Sequence, residues 1–320
     1  MRSTIDRLRY ATAQREAEAE ACSGGRKRAS FLDHPYLLLS LCSLFWAANT
    51  IIGRVSAGHI PPLTLACIRW FGAFVILLPF AAVPLVRDWP TIRKHAGTLA
   101  LLAFSGFSSY NAITYYALQY TTAINGLLMQ SSGPLFVALW TFLLLGERLT
   151  LRQAGGICVS LAGVLVIISQ GSLAVLLGIG FNYGDPWFLL ALLIYGYYMG
   201  AFRNRPQMHP VSFLAVGIGL GTVFLTPGMA WELAQGKTFA LDVRNLASLG
   251  FLWMFPSLVG YLFLNRGVEL IGANRAAPFV HLVPVFGSIM AVAFLGERFE
   301  LYHAIGYALV FVGITAAARK

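Results

Sequence analysis

Charge is what this sequence has least of. Only 11% of its 320 residues are Asp, Glu, Lys or Arg, against roughly 25% in soluble domains, while 58% are hydrophobic and the mean hydropathy is +0.69. So little polar surface excludes a soluble globule and a disordered chain alike. Cysteine is scarce too: Cys22 lies in a polar N-terminal stretch and Cys42, Cys67 and Cys158 in separate apolar runs, with no C-x-x-C. That excludes a secreted disulfide scaffold and a thiolate metal centre, and leaves small apolar packing residues. The histidines, His34, His59, His95, His209, His281 and His303, are scattered, with no H-E-x-x-H and no acidic pair. No metal, no cofactor and no enzymatic chemistry are therefore expected.

What is present instead is hydrophobic length. From residue 35 the chain divides into about ten apolar runs of the roughly 20 residues that one helical crossing of a bilayer needs. They span 36–55, 63–85, 96–117, 122–145, 152–169, 186–202, 211–231, 247–265, 274–295 and 301–317. The apolar piece 172–179 is too short to cross and is expected at the interface or as an extension of a neighbouring helix. Residues 1–30 are polar, hold no signal-peptide core, and are expected to be a disordered cytoplasmic tail. The net charge of +10 does not point to nucleic acid, because the basic residues form no folded face. With ten spans and the N-terminus inside, 18 Lys and Arg fall on the inner side, Arg54, Lys237, Arg244 and Arg298 on the outer side, and Arg69 alone within a span. This distribution puts both termini in the cytoplasm and the protein in the inner membrane.

The chain also repeats itself. From Ala117, A-L-Q-Y-T-T-A-I-N-G-L-L-M-Q-S-S-G-P-L-F then L-L-L-G-E-R-L is answered from Gly267 by G-V-E-L-I-G-A-N-R-A-A-P-F-V-H-L-V-P-V-F then A-F-L-G-E-R-F. At an offset of 150, Ala123, Pro134, Gly146, Glu147, Arg148, Gly156 and Gly163 match Ala273, Pro284, Gly296, Glu297, Arg298, Gly306 and Gly313. Five spans per copy, 36–169 and 186–317, is an odd number, so the second copy enters from the opposite side. The fold class is therefore all-α, a polytopic membrane bundle of about ten transmembrane helices built from two inverted five-helix repeats, the recurrent build of secondary transporters. In G-E-R, Gly146 and its partner Gly296 are expected to close helices in the left-handed conformation and act as hinges, with Glu147 pairing with Arg148.

At these residues the chain resembles the EamA family of the drug/metabolite transporter superfamily. The resemblance rests on F-W-A-A-N in the first span, Arg69 in I-R-W of the second, A-L-Q-Y-T-T-A, P-L and L-L-L-G-E-R-L across spans three to five, and the repeated G-E-R-F. It implies a ten-helix inverted-repeat bundle with a central solute cavity, usually an exporter of metabolites, amino acids or drugs. Two departures stand out: a long apolar connection at 169–185, and His281 where the first copy has Ser131.

Ionisable groups inside a membrane are costly and usually mark a pathway. Arg69 would either clamp a carboxylate or phosphate of a solute, or bond to neighbouring carbonyls or snorkel to the surface. His281 would either titrate and couple a proton, or sit neutral against a neighbour. No Asp or Glu falls deep in a span; Asp33, Asp185, Glu232 and Glu269 stand at boundaries, which favours facilitation or exchange over proton drive. Cavity-lining candidates are Trp46 and Asn49 in span one, Tyr110, Asn111 and Tyr115 in span three, Gln130 and Ser131 in span four, and Tyr195, Tyr198, Tyr261, Asn265 and His281 from the second copy. Amides are the stronger candidates, since a lipid-facing Asn must find a partner. This mixture suits a zwitterionic or aromatic metabolite. The expected partners are the lipid bilayer and a small-molecule solute; no oligomeric state follows from the sequence.

Overall fold

The computed structural model describes residues 31–130, 132–146, 151–169, 171–172, 182–271, 279–280 and 282–318. Among them the architecture is helical and overlies the apolar runs. Helix α1 is Pro35–Val55 and α2 is Pro62–Lys94. Helix α3 runs from Ala96–Ala103 through a π-helical turn, Phe104–Ser109, into Tyr110–Ala117. Helix α4 comprises Ala123–Gln130 and Gly133–Leu145, and α5 is Leu151–Ile168. In the second half, α6 is Gly184–Ala201 and α7 is Pro210–Ala234. Helix α8 runs from Val243–Met254 through a second π-helical turn, Phe255–Val259, into Gly260–Ile271, followed by α9, Leu282–Leu295, and α10, Leu301–Ala318. The 1–30 tail, Ser131, Glu147 with Arg148, residues 173–179 and His281 lie outside the described residues.

Taken singly, α1, α2, α7 and Val243–Ile271 are long and apolar enough to cross a membrane, and the two parts of α4, which meet at 42°, make one further bent span. Each helix buries one stripe. In α1, Leu38, Leu39, Cys42, Ala47, Thr50 and Ile51 are buried at helical spacing. The outward face of α2 is just as apolar, with Phe80, Val83 and Val86 each more than 70% exposed, a surface that is stable against lipid rather than water. Pro79, Pro84 and Pro90 lie inside α2 and Pro227 inside α7, while Pro256 stands in the second π turn.

Helix ends need acceptors for their first N–H groups, and two ends obtain them from distant carboxylates. Pro61, at the start of α2, has no side-chain acceptor. Glu232, from the end of α7, accepts instead from Leu63 N at 3.2 Å, Thr64 N at 2.8 Å and Thr64 Oγ1 at 2.8 Å. Glu297 accepts from Ala123 N at 2.8 Å and Ile124 N at 2.9 Å, capping α4 across the two halves. Gly146 and Gly296 both take the left-handed conformation, with φ of 67° and 66°.

The packing follows the repeat. Helix α5 packs on α10 and α2 on α7; α4 packs on α6 as α9 packs on α1, and α3 on α6 as α8 on α1. The α5–α10 crossing is a backbone contact: a Cβ at Gly163 would stand 2.6 Å from Gly306 O and 2.8 Å from Val310 N. Gly217 of α7 likewise receives the ring of Phe107, and Gly221 its Cβ and backbone, the close approach that small residues allow. Replacing Gly163 by Leu is expected to separate α5 from α10 and cost about 1–3 kcal/mol from overpacking, read as a lower apparent melting temperature in detergent. Gly155→Ala, where no described atom lies within 4 Å, should leave that temperature unchanged or slightly raised.

Candidate functional site

The site is built around Arg69. The buried stripe of α2 carries Leu65, Ala66, Arg69, Trp70, Ala73 and Leu77, so the helical register that hides the leucines also turns Arg69 into the bundle, where it is 4% exposed. Its guanidinium does not snorkel. Nε donates to Ser257 Oγ at 2.9 Å, and Nη1 donates to Asn111 Oδ1 at 2.7 Å and Tyr115 OH at 3.0 Å. The guanidinium also lies 4.3 Å from the ring centre of Trp70, a favourable seat for a cation. Among the described residues no carboxylate pairs with it, so the positive charge is solvated entirely by neutral groups.

The partners are held in place by the π-helical turns. In α3 the wider turn leaves Phe107 O free to accept from Trp70 Nε1 at 2.7 Å and from Asn111 Nδ2 at 3.0 Å. With its donor side occupied, Asn111 can only present Oδ1 to Arg69. Tyr115 accepts from Arg69 and donates to Asn49 Oδ1 at 2.7 Å, tying α1 into the network. The second π turn supplies Ser257, so both halves contribute directly to the Arg69 shell.

An aromatic wall continues from this centre. Ring centres of Tyr110 and Tyr195 lie 4.6 Å apart, Tyr195 and Tyr198 5.7 Å, Tyr198 and Phe107 5.8 Å, Phe107 and Tyr261 6.4 Å, and Tyr261 and Trp46 5.9 Å. Gly106 makes room for it, because a Cβ there would meet the Tyr198 ring at 2.4 Å. At the far edge Gln130 Nε2 donates to Tyr110 OH at 3.3 Å, and the buried Gln130 Oε1 has no partner among the described residues.

The structure thus brings Trp46, Asn49, Arg69, Tyr110, Asn111, Tyr115, Gln130, Tyr195, Tyr198 and Tyr261 into one connected set. Asn265 does not join it: it lies one turn beyond Tyr261 and is exposed. Sequence reasoning missed Ser257, Trp70 and Phe107. Ser257 carries no distinguishing signal, but Trp70, adjacent to a buried arginine, offered one. The boundary carboxylates also separate into two kinds. Asp33 and Glu269 are exposed and pair with Arg266 at 3.1 Å and 3.3 Å, whereas Asp185 and Glu232 are 0% and 2% exposed. A cavity of about 800 Å³, lined by Arg54, Gly58, Gln119, Thr122, Arg244 and Glu297, opens at the end of the bundle where α1 stops and α8 starts. A second, of about 540 Å³, lies between α4, α9 and α10 and is almost wholly apolar.

A family profile described as the EamA-like transporter family matches residues 34–169 and again residues 182–319. The chain belongs to the EamA-like transporter family. Being EamA-like, it is an integral membrane protein of the transporter class. It is similar to an uncharacterized transporter, YyaM, of Bacillus subtilis (strain 168), at 26% identity over 88% of this chain and 93% of the relative. It is similar also to a "Probable terminal-alkyne amino-acid exporter" of Streptantibioticus cattleyicolor, at 27% identity over 77% and 80% of the two chains. A "Probable amino-acid metabolite efflux pump" of Salmonella typhimurium (strain LT2) is 27% identical over 87% and 92%. A solved crystal structure has a similar fold, with a TM-score of 0.56, 18% identity, and 88% of this chain and 96% of that chain covered.

Because no carboxylate among the described residues neutralises Arg69, each neutral acceptor matters. Ser257→Ala removes one bond to a buried charge and should cost about 1–3 kcal/mol, measured as a lower apparent melting temperature of the purified protein. Asn265→Ala, at an exposed position, should change stability by no more than about 0.5 kcal/mol.

Proposed function

We propose that this protein is a secondary transporter that exports small organic metabolites of the amino-acid class, as a facilitator or exchanger, through a central site alternately open to either side. The observation that carries this reading is Arg69: a buried guanidinium surrounded, among the described residues, only by neutral groups. A solute carboxylate supplies the missing countercharge through charge-assisted hydrogen bonds, and enters a site already prepared for it. The aromatic wall of Tyr110, Tyr195, Tyr198 and Tyr261 offers faces to an apolar or aromatic solute body, and Gln130 Oε1, without a partner among the described residues, is an acceptor suited to an ammonium group. The names carried by the exporter and the efflux pump among the relatives lie in the same chemical class. The excess of Lys and Arg on one side favours a cytoplasmic location for both termini in the inner membrane. Gly146 and Gly296, left-handed and without a crowding neighbour among the described atoms, are suited to act as hinges.

A thermal-shift screen of the purified protein tests this reading, since a ligand that prefers the folded carrier raises its apparent stability. L-amino acids with apolar or aromatic side chains are expected to raise the melting temperature, and their methyl esters are not. Arg69→Lys, which loses the planar fork, should weaken the response about tenfold or more. Equal shifts with acid and ester, or an undiminished response in Arg69→Lys, would remove Arg69 from solute recognition.

A further inference from the structure

Away from Arg69, three polar links cross between the halves at one end of the bundle. Glu297 caps the first amides of α4. His303, 3% exposed near the start of α10, meets Asn125 Oδ1 through Nε2 at 3.1 Å. Thr121 Oγ1 donates to Asp185 Oδ1, and the side chains of Asn125 and Asn182 stand beside that carboxyl. The first turn of α6 is pressed against the end of α3 so closely that a Cβ at Gly184 would stand 2.3 Å from Ala117 O.

The chemistry of this corner is unbalanced at Asp185. The residue is fully buried, its Oδ2 has no hydrogen-bond partner among the described residues, and no cation pairs with it there. Of the cations at this end, Arg54 is committed to Leu118 O at 2.7 Å and Gln119 O at 3.2 Å, Arg244 lines the adjoining cavity and Arg298 is exposed. His303 supplies no charge either: its Nδ1 accepts from Glu300 N at 3.0 Å, so it is unprotonated, and the Nε2 proton goes to Asn125. Tyr302 of α10, which lies near both Asp185 and Glu300, adds no positive charge. Nor do Tyr116 and Tyr120 of the α3 end, which pack on Trp187 and Tyr183. An ionised carboxylate enclosed in this way is costly, and a neutral carboxyl is not.

We propose that Asp185, with Thr121, Asn125 and His303, is a proton-binding latch: this end of the bundle closes with the proton on Asp185 and opens as the proton leaves. Closing takes one proton from solvent onto the carboxylate, and opening returns it, so no further reactant is needed. Water then reaches the carboxylate and solvates its charge. Because the two equilibria are linked, proton uptake favours closure by as much as closure favours uptake. The use of such a latch in transport rests on the reading that the two halves move between two arrangements; the proton site itself does not.

The test contains no solute, so its failure leaves the Arg69 reading intact and the failure of the solute screen leaves it intact in turn. The purified full-length chain is titrated from about pH 5 to about pH 8, where buried carboxyls and histidines change charge, and the carbonyl stretch of protonated carboxyl groups is followed by infrared spectroscopy. A titrating band that disappears in Asp185→Asn is expected. Thr121→Val, which removes a donor that favours the ionised form, should move the same titration to higher pH and serves if Asp185→Asn folds poorly. Opening is read from the rate at which a bulky charged maleimide alkylates Ala117→Cys, a position fully buried beneath the first turn of α6, in a chain carrying Cys22→Ser and Cys158→Ser. Relative to the same chain with Asp185→Asn, that rate should rise about threefold or more across the titration, as the ionised latch releases. A band unaffected by either substitution, or a rate ratio independent of pH, overturns the proposal.

Discussion

A bilayer offers no water to a buried polar group, and that single constraint organises the interior of this protein. Arg69 illustrates it most fully. Its helical position forces it inward, and once there every bond must come from protein. Serine, asparagine and tyrosine hydroxyl and amide groups from two other helices, with an indole face from its own, solvate the charge without cancelling it. The same demand explains why Glu232 and Glu297 reach across to the first amides of α2 and α4: Pro61 has no side-chain acceptor to offer α2, and at α4 Thr122 Oγ1 serves Asn125 N and leaves Ala123 N and Ile124 N to Glu297. The result is a core held together by apolar packing along its length and by charge-assisted hydrogen bonds at its helix ends and centre.

The two π-helical turns give the central site its shape. Each inserts extra backbone into a long helix, one in α3 and one in the corresponding α8, and each delivers a group that an uninterrupted helix would keep for itself. Phe107 O becomes an acceptor for Trp70 and Asn111, and Ser257 turns toward Arg69. The arginine is therefore positioned by features that occur once in each half of the repeat, which places the charge where the two halves meet.

Much of this was legible in the sequence, for reasons of scale. Apolar runs of about 20 residues, a repeat at an offset of 150 and an intramembrane arginine are signals carried by composition and spacing, and the helices overlie the runs. The tyrosines and amides gathered around Arg69 were legible because polar side chains in lipid have few places to go. Asn265 was not distinguishable from Asn111 on that ground, since residue type says nothing about helical phase near a helix end. Asp185 and Glu232 were harder still. Counted along the chain they stand at boundaries, yet boundary residues are buried wherever a neighbouring helix begins at the same level, and only the packing shows that. Glu297 was read for its place in a repeated G-E-R, which suggested a local turn; its carboxylate is used by the opposite half.

The packing pairs have a consequence for motion. Exchange the two halves, and α5 with α10, like α2 with α7, maps onto itself, while α4 with α6 maps onto α9 with α1. Contacts of the first kind read the same in either arrangement of a carrier whose halves trade roles, so they can persist as a fixed frame. Contacts of the second kind differ between mates, and in such a carrier they are the ones that change. The glycine-to-glycine crossing at Gly163 and Gly306 is of the first kind, where the backbones touch and sliding has no room; the enclosed carboxyl of Asp185, on α6, sits among contacts of the second kind.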